Sequence, residues 1–437
     1  MSARETALKV LIACRQEDGW SNGVLKACIA RDRLDSRDSA LASRLCYGVI
    51  QNRNYLDFYL RQLLTGRIKD LHPVLRDILH LGLYQIYLTD KIPESAAVNE
   101  SVELAKKYCR NQRNAPGLIN GVLRNAVRTK GSLKEPNSWE DRYSHPGELI
   151  NLLKSYVGKE RMEPMLRANN SIAPMTVQVN TLRTDTASLQ AALEVEGVTA
   201  ENHPWLENCL VLSGTGNIEH LQSFRDGLFY VQDGASKLSV LCAQPTPGQR
   251  VLDCCAAPGG KSFAAAMCME GKGSITSCDI HAHKVDLIGK GAERLGIQCI
   301  TPQLQDGAEF RQDWEAAMDL VIADVPCSGF GIIRKKPDIR YKDLAATLEL
   351  PALQLSILRN AARYVKPGGL LMYSTCTLVR AENEGVVEMF LQTHPDFTTE
   401  PLPLPAPFPR NENGMLALIP GEYDTDGFFI CRLRRKL

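Results

Sequence analysis

The sequence predicts a multidomain chain: an all-α N-terminal part, a small α+β part, and a C-terminal α/β part on a mostly parallel sheet. Three observations predict it. Apolar residues in 1–130 recur at helical spacing throughout. From 246 to 437, short apolar runs alternate with helical patterns, which is how parallel sheets are built. The length of 437 residues exceeds one ordinary domain and suits two or three.

In 1–130, Leu8, Leu11 and Ile12 form one apolar face and Leu41, Leu45, Val49 and Ile50 a second. Leu56, Tyr59, Leu60 and Leu63 form a third, and Ile78, Leu79, Leu83 and Ile86 a fourth. Asp38 or Ser39 is expected to cap the helix over 40–53, and Pro93 to open the helix that follows. Residues 131–144 are polar and read as a linker. His145, directly before Pro146, reads as a turn residue and receives no catalytic role.

The middle part, 145–245, mixes helices over 149–156, 160–168 and 188–196 with strands over 175–180, 209–212 and 228–231. In the last part, 246–437, strands are predicted at 250–254, 274–278, 298–302, 319–323, 369–373 and 428–433. The Pro-rich stretch 401–409 reads as a loop, and no internal repeat is found.

Hydrophobic content of 44% and charged content of 23% are those of a soluble globular protein. No apolar run reaches membrane-spanning length, and the polar start through Arg4 and Glu5 is no signal peptide, so a cytoplasmic protein is expected. Fourteen cysteines without a C-x-x-C spacing argue against a zinc or iron–sulfur site, and no metal is expected. Most of these thiols read as small core residues, reduced in the cytosol. The net charge of +1 conceals an uneven distribution. Residues 1–130 carry 21 Lys and Arg against 13 Asp and Glu, whereas the remainder carries 30 against 37. A basic N-terminal third points to a polyanionic partner; the competing reading is an ordinary solvated surface.

The organising stretch is 251–262. A short strand runs into a turn at Pro258, Gly259 and Gly260, and a helix begins near Lys261. This puts free backbone N–H groups at a helix N-terminus, suited to a polar or anionic ligand. Twenty residues past Gly259 stands Asp279, after a second apolar run, where a nucleotide-binding βαβ unit keeps the carboxylate for its ribose hydroxyls. The dinucleotide pattern G-x-G-x-x-G is absent. A P-loop would need Gly where Cys255 stands. Two further loops follow strands: Asp324-Val325-Pro326-Cys327-Ser328-Gly329 and Ser374-Thr375-Cys376-Thr377. Both cysteines therefore fall at the sheet edge where open α/β folds bind ligands.

With these pieces the sequence resembles the NOL1/NOP2/Sun family of RNA cytosine-C5 methyltransferases. The matching residues are Asp253 to Lys261, Asp279, Asp324 to Gly329, Pro337-Asp338-Ile339-Arg340, Thr375-Cys376-Thr377 with Glu382-Asn383-Glu384, and Asp426-Gly427-Phe428-Phe429. The N-terminal part resembles the NusB-like helical RNA-binding domain through residues 34–38, 45–49 and 116–124. Lys106, Lys107, Arg110, Arg113, Arg124, Arg128 and Lys130 cluster there, with Tyr108 among them as a packing residue. The middle part resembles the small domain that precedes the core in this family, through 224–227 with Gln232 and Asp233. The combination is similar to bacterial enzymes that methylate one cytosine of 16S ribosomal RNA. It implies a NusB-like domain (1–130), a linker (131–144), a small α+β domain (145–245) and a Rossmann-like methyltransferase core (246–437).

C5 of cytosine is a poor nucleophile until a thiolate adds at C6. The reaction needs a thiolate, a methyl donor, something to stabilise the activated ring, and a base for the C5 proton. Cys376 or Cys327 can be the nucleophile, and the residues alone do not rank them. The Gly turn, with Cys255, Ala256, Ala257, Pro258, Gly259, Gly260 and Lys261, together with Asp279, suits S-adenosyl-L-methionine. Asp306 is placed for the adenine side, and Asp324 can hydrogen-bond the cytosine's N3/N4 edge. The resemblance implies that Cys376 attacks C6, that Cys327 assists product release, and that Lys261 reaches Asp324. It further implies a ribosomal RNA (16S) substrate; no membrane partner is expected, and the chain is expected to be a monomer. The competing readings are a tRNA methyltransferase with the same core, a non-catalytic RNA-binding assembly factor, and a nucleoside-phosphate-binding enzyme.

Overall fold

The computed structural model describes residues 2–16 and 21–437. The chain divides into two compact units. One comprises Met1–Lys154 with Lys335–Lys342; the other comprises Ser155–Arg334 with Asp343–Leu437.

The first unit is helical. Its core is built by the apolar faces read from the sequence, with Leu8, Leu45, Leu56, Leu60, Ile78 and Leu79 fully buried. The helix expected over 40–53 runs Ser36–Gln51. Its cap is Asp35, whose side chain accepts from Asp38 N at 2.7 Å. The cap therefore lies before Asp38 and Ser39, because the polar first turn is itself helical. Pro93 caps the helix Glu94–Tyr108, as expected. Residues 131–144 hold a five-residue helix, Trp139–Tyr143, capped by Ser138. Arg61 pairs with Asp141 at 2.7 Å and the Tyr59 hydroxyl donates to Glu135 at 2.8 Å, so this polar stretch packs on the helix Arg53–Leu63.

Lys335–Lys342 groups with the helices although it comes from the C-terminal part of the sequence. Arg340 explains why: only 1% exposed, it donates to the carbonyls of Gln51 at 2.8 Å and Ser144 at 3.0 Å. His145 is fully buried, with Nδ1 2.7 Å from the Tyr143 carbonyl. Burial and the Arg340 charge push its pKa well down, which keeps it neutral.

The second unit holds two sheets. Strands β1 (Met175–Val179), β2 (Thr199–Asn202), β3 (Cys209–Ser213) and β4 (Phe229–Val231) form an antiparallel sheet in the order β2-β3-β1-β4. Strand β2 is largely exposed and polar, so it carries no alternation to read in the sequence.

The larger sheet contains β5 (Arg250–Asp253), β6 (Ser274–Asp279), β7 (Ile300–Leu304), β8 (Met318–Asp324), β9 (Val365–Thr375), β10 (Phe397–Thr399), β11 (Met415–Leu418) and β12 (Phe428–Arg435). Its order is β10-β12-β9-β8-β5-β6-β7, with β11 also paired to β12. The five strands β9-β8-β5-β6-β7 are parallel, and β12 closes one side antiparallel. From β5 the chain builds outward to β6 and β7, then returns to β8 on the other flank. The carboxyl ends of β5 and β8 therefore border the switch-point crevice, where open α/β sheets take ligands. The short strands β10 and β11 are not legible in the sequence. Each has three or four residues, too few for a periodic signal. Among the described residues no helix is long and apolar enough to cross a membrane.

Candidate active site

The Gly turn follows β5. Gly259 has φ +112°, and a Cβ there would meet the Phe263 ring at 2.4 Å, so glycine is required on both counts. The helix Gly260–Cys268 starts directly after it and carries Lys261 in its first turn.

Lys261 is buried. Its Nζ donates to Asp324 Oδ2 at 2.6 Å and to Ser236 Oγ at 2.9 Å, and lies 5.1 Å from the centre of the Phe428 ring. Ser374 Oγ donates to the other Asp324 oxygen, Oδ1, at 2.7 Å. The reach of Lys261 to Asp324 thus joins the turn after β5 to the end of β8. A carboxylate has about four acceptor positions, and these two bonds leave the remainder for a substrate.

Cys327 and Cys376 come together: their Sγ atoms are 3.3 Å apart. The adjacent Cys376 sulfur, and then burial, push the Cys327 thiol well up, with Glu382 and Asp324 adding to the effect. Cys327 therefore keeps its proton. The two loops are tied to each other and to the scaffold. Ser328 and Thr377 share a hydroxyl hydrogen bond of 2.6 Å. Buried Glu382 Oε2 accepts from Ser328 N and from Gln354 Nε2, both at 2.9 Å, and Gln354 also donates to the Pro326 carbonyl. Thr375 Oγ1 donates to Asn383 Oδ1 at 2.6 Å, and Gly331 N donates to the Cys376 carbonyl at 2.9 Å. Close approach fixes Gly331 as glycine, since a Cβ there would fall 1.9 Å from the Gly427 carbonyl oxygen.

Asp279 ends β6. Its Oδ1 accepts from His281 N at 3.0 Å and lies 3.7 Å from Lys284 Nζ. Among the described residues its Oδ2 accepts no hydrogen bond. Asp306 follows β7 and accepts from Ala308 N at 2.9 Å. Gly307 beside it leaves a space in which a Cβ would stand 3.5 Å from Cys255 Sγ. Cys255, Ala257 and Gly260 are half-buried, Ala256 and Gly259 are buried, and Pro258 is exposed. Carboxylates at successive strand ends beside a tight backbone turn fit S-adenosylmethionine, whose ribose hydroxyls and amino group are hydrogen-bond donors.

Sequence alone assigns no role to Asp253, Ser236, Glu382 or Gln354. Asp253 is fully buried at the end of β5. It accepts from Ser262 Oγ at 2.8 Å, and Ser262 accepts in turn from Ser277 Oγ at 2.7 Å. Burial pushes its carboxyl from 3.8 up to about 7, against the opposing pulls of Ser262 and Lys261. A signal for Asp253 is present, as a carboxylate in an apolar strand. Glu382 stands in a stretch that matches the family, but its contacts are not legible there, because its partners lie 28 and 54 residues away.

Known proteins resemble this chain over its whole length. The model of the 16S rRNA methyltransferase RsmB/F family matches residues 240–434, the NusB family 1–128, and the ferredoxin-like domain of RsmF/B-like methyltransferases 145–219. The probable ribosomal RNA small subunit methyltransferase B of Bacillus subtilis is 37% identical, over 100% of this chain and 99% of its own length. The ribosomal RNA small subunit methyltransferase B of Vibrio cholerae is 34% identical over 93% and 92%. The crystal structure of PH0851, 24% identical, superposes with a TM-score of 0.82 over 100% of this chain and 99% of that one, which shows a shared fold. Similarity over nearly the full length, together with a sheet edge that brings the two cysteines, Lys261 and Asp324 together, places the chain in the 16S rRNA methyltransferase RsmB/F family.

Proposed function

We propose that this enzyme methylates C5 of one cytosine in 16S ribosomal RNA, with S-adenosylmethionine as donor and Cys376 as nucleophile. The observation that carries the reading is the cysteine pair. Two sulfurs 3.3 Å apart cannot both be ionised at low cost, and Cys327 holds its proton. Its S–H can then donate to the Cys376 sulfur.

Cys376 Sγ⁻ adds to C6, forming an S–C6 bond and moving the C5=C6 pair into the ring, where Asp324 hydrogen-bonds the N3/N4 edge. S-adenosylmethionine, when bound, supplies a methyl group on a positively charged sulfur. Lys261 holds Asp324 in place and balances its charge. Once Cys376 is a thioether, the largest of the influences that kept Cys327 protonated is gone, and Cys327 can release its proton to solvent. As a thiolate it can then take the proton from C5. The electron pair of the C5–H bond re-forms C5=C6, and Cys376 leaves as thiolate. Asp279 and Asp306 serve the ribose and adenine of the donor, and residues 255–260 serve the rest of it.

The names of the relatives support a small-subunit ribosomal RNA over tRNA as substrate. Such an RNA is made in the cytoplasm, which is where we place the enzyme, and the basic helical unit is suited to holding it. Bisulfite sequencing of ribosomal RNA from cells with and without the gene tests the proposal. One 16S cytosine losing its protection supports it. Unchanged 16S rRNA with an altered tRNA would move the substrate to tRNA.

A further inference from the structure

A cavity of about 680 Å³ lies in the second unit, and none of its lining residues belongs to the site described above. Its apolar wall includes Trp205 and Leu206 between β2 and β3, Leu241 on the helix Gly234–Ala243, Met267, and Pro403 with Pro405 in the Pro-rich stretch. Trp205 is held in place. Its ring stands edge-on to Phe408 at 4.9 Å and to His203 at 4.6 Å, and its Nε1 donates to the Tyr423 carbonyl at 3.4 Å.

One cation, Lys237, lines this cavity. It is only 5% exposed, yet among the described residues its ammonium has no hydrogen-bond or ion-pair partner. The titratable groups that act on it are the thiols of Cys268 and Cys209, which burial keeps protonated. Glu207 also lines the cavity but forms no ion pair with Lys237. Burying a charge without a partner is costly, and a ligand that supplies an acceptor removes that cost. Volume, a largely apolar lining and a few polar groups, here Lys237 with Thr181, Glu207 and Asn208, are the properties of small-molecule sites. A polyanion is disfavoured by the lone cation and by Glu207 in the same lining.

We propose that this cavity binds a small organic acid, with its carboxylate on Lys237 Nζ and its apolar chain or ring against Trp205, Leu241 and Met267. The test is calorimetric titration of the full-length protein with octanoate, with phenylacetate, and with octanamide as the uncharged control. Octanoate answers for a chain and phenylacetate for a ring. At least one acid should bind saturably at one site, and octanamide about ten-fold or more weaker than octanoate if the chain is preferred, as expected for a lost charge-assisted hydrogen bond. Lys237→Met should weaken the acid by a similar factor and leave octanamide unchanged. Leu241→Trp, which fills the cavity without touching the charge, should abolish binding; it carries the test if Lys237→Met does not fold. Absence of binding by both acids, or equal binding by wild type and the folded variants, would overturn the proposal.

Discussion

The Cys327 sulfur lies 3.3 Å from the Cys376 sulfur, and the two stand on loops that follow different strands, β8 and β9. Parallel pairing of β8 with β9 sets this distance, since Asp324 is in register with Ser374.

Glu382 sets the Cys327 loop through Ser328 N and through Gln354. Glu382→Ala should cost about 1–3 kcal/mol of stability, because it leaves a buried N–H without an acceptor. Methyl transfer should fall with it. Glu382→Gln should keep more of both. Thermal unfolding and single-turnover methylation measure the two effects; equal activity in wild type and Glu382→Ala would remove Glu382 from the positioning of Cys327.

Asp253 makes stability depend on pH with a definite sign. Its pKa is about 7 in the fold against 3.8 ordinarily, so the native state binds the extra proton between those values. Stability is therefore lost as pH rises from about 4 through 7, by roughly 1.4 kcal/mol for each pH unit in that interval. Asp253→Asn removes this contribution. The difference between the two stability curves should fall over that range and flatten above it; parallel curves would mean that Asp253 is ionised throughout.

In the proposed function the second Asp279 oxygen serves the donor's ribose. Asp279→Ala should weaken S-adenosylmethionine by roughly 1–3 kcal/mol. Calorimetry showing unchanged affinity would take Asp279 out of the site.

The basic cluster of the helical unit divides on inspection. Lys106, Lys107 and Lys130 are paired with Glu103, Glu5 and Glu94, and the Tyr108 hydroxyl is bound to Glu5. Arg110 and Arg113 are exposed and, among the described residues, have no ion-pair partner. Replacing both with Ala should weaken RNA binding and reduce the slope of log affinity against log salt by roughly 1–2. An unchanged slope would make them ordinary solvated surface.

Much of this is legible in the residues. Helical spacing marks the first core, and short apolar runs between helical patterns mark the parallel strands. The Gly turn and the residues after strand ends mark Lys261, Asp279, Asp324, Cys327 and Cys376. What is not legible depends on distant partners. Arg340 belongs to the helical unit because carbonyls at Gln51 and Ser144, some two to three hundred residues back, accept from it. Glu382 lies near the cysteines only once β9 is paired with β8. Asp253 looks like part of a motif, and its raised pKa requires the burial that only the folded sheet provides.

The division of labour between the cysteines is tested most directly by denaturing electrophoresis of each alanine variant with 16S rRNA and S-adenosylmethionine. Cys376→Ala has no thiol to add to C6, so neither methylated product nor adduct should form. Cys327→Ala should still attack through Cys376 and methylate but fail to lose the C5 proton, so a denaturation-resistant protein–RNA band should accumulate. An adduct formed by Cys376→Ala and absent from Cys327→Ala would contradict the assignment and make Cys327 the nucleophile.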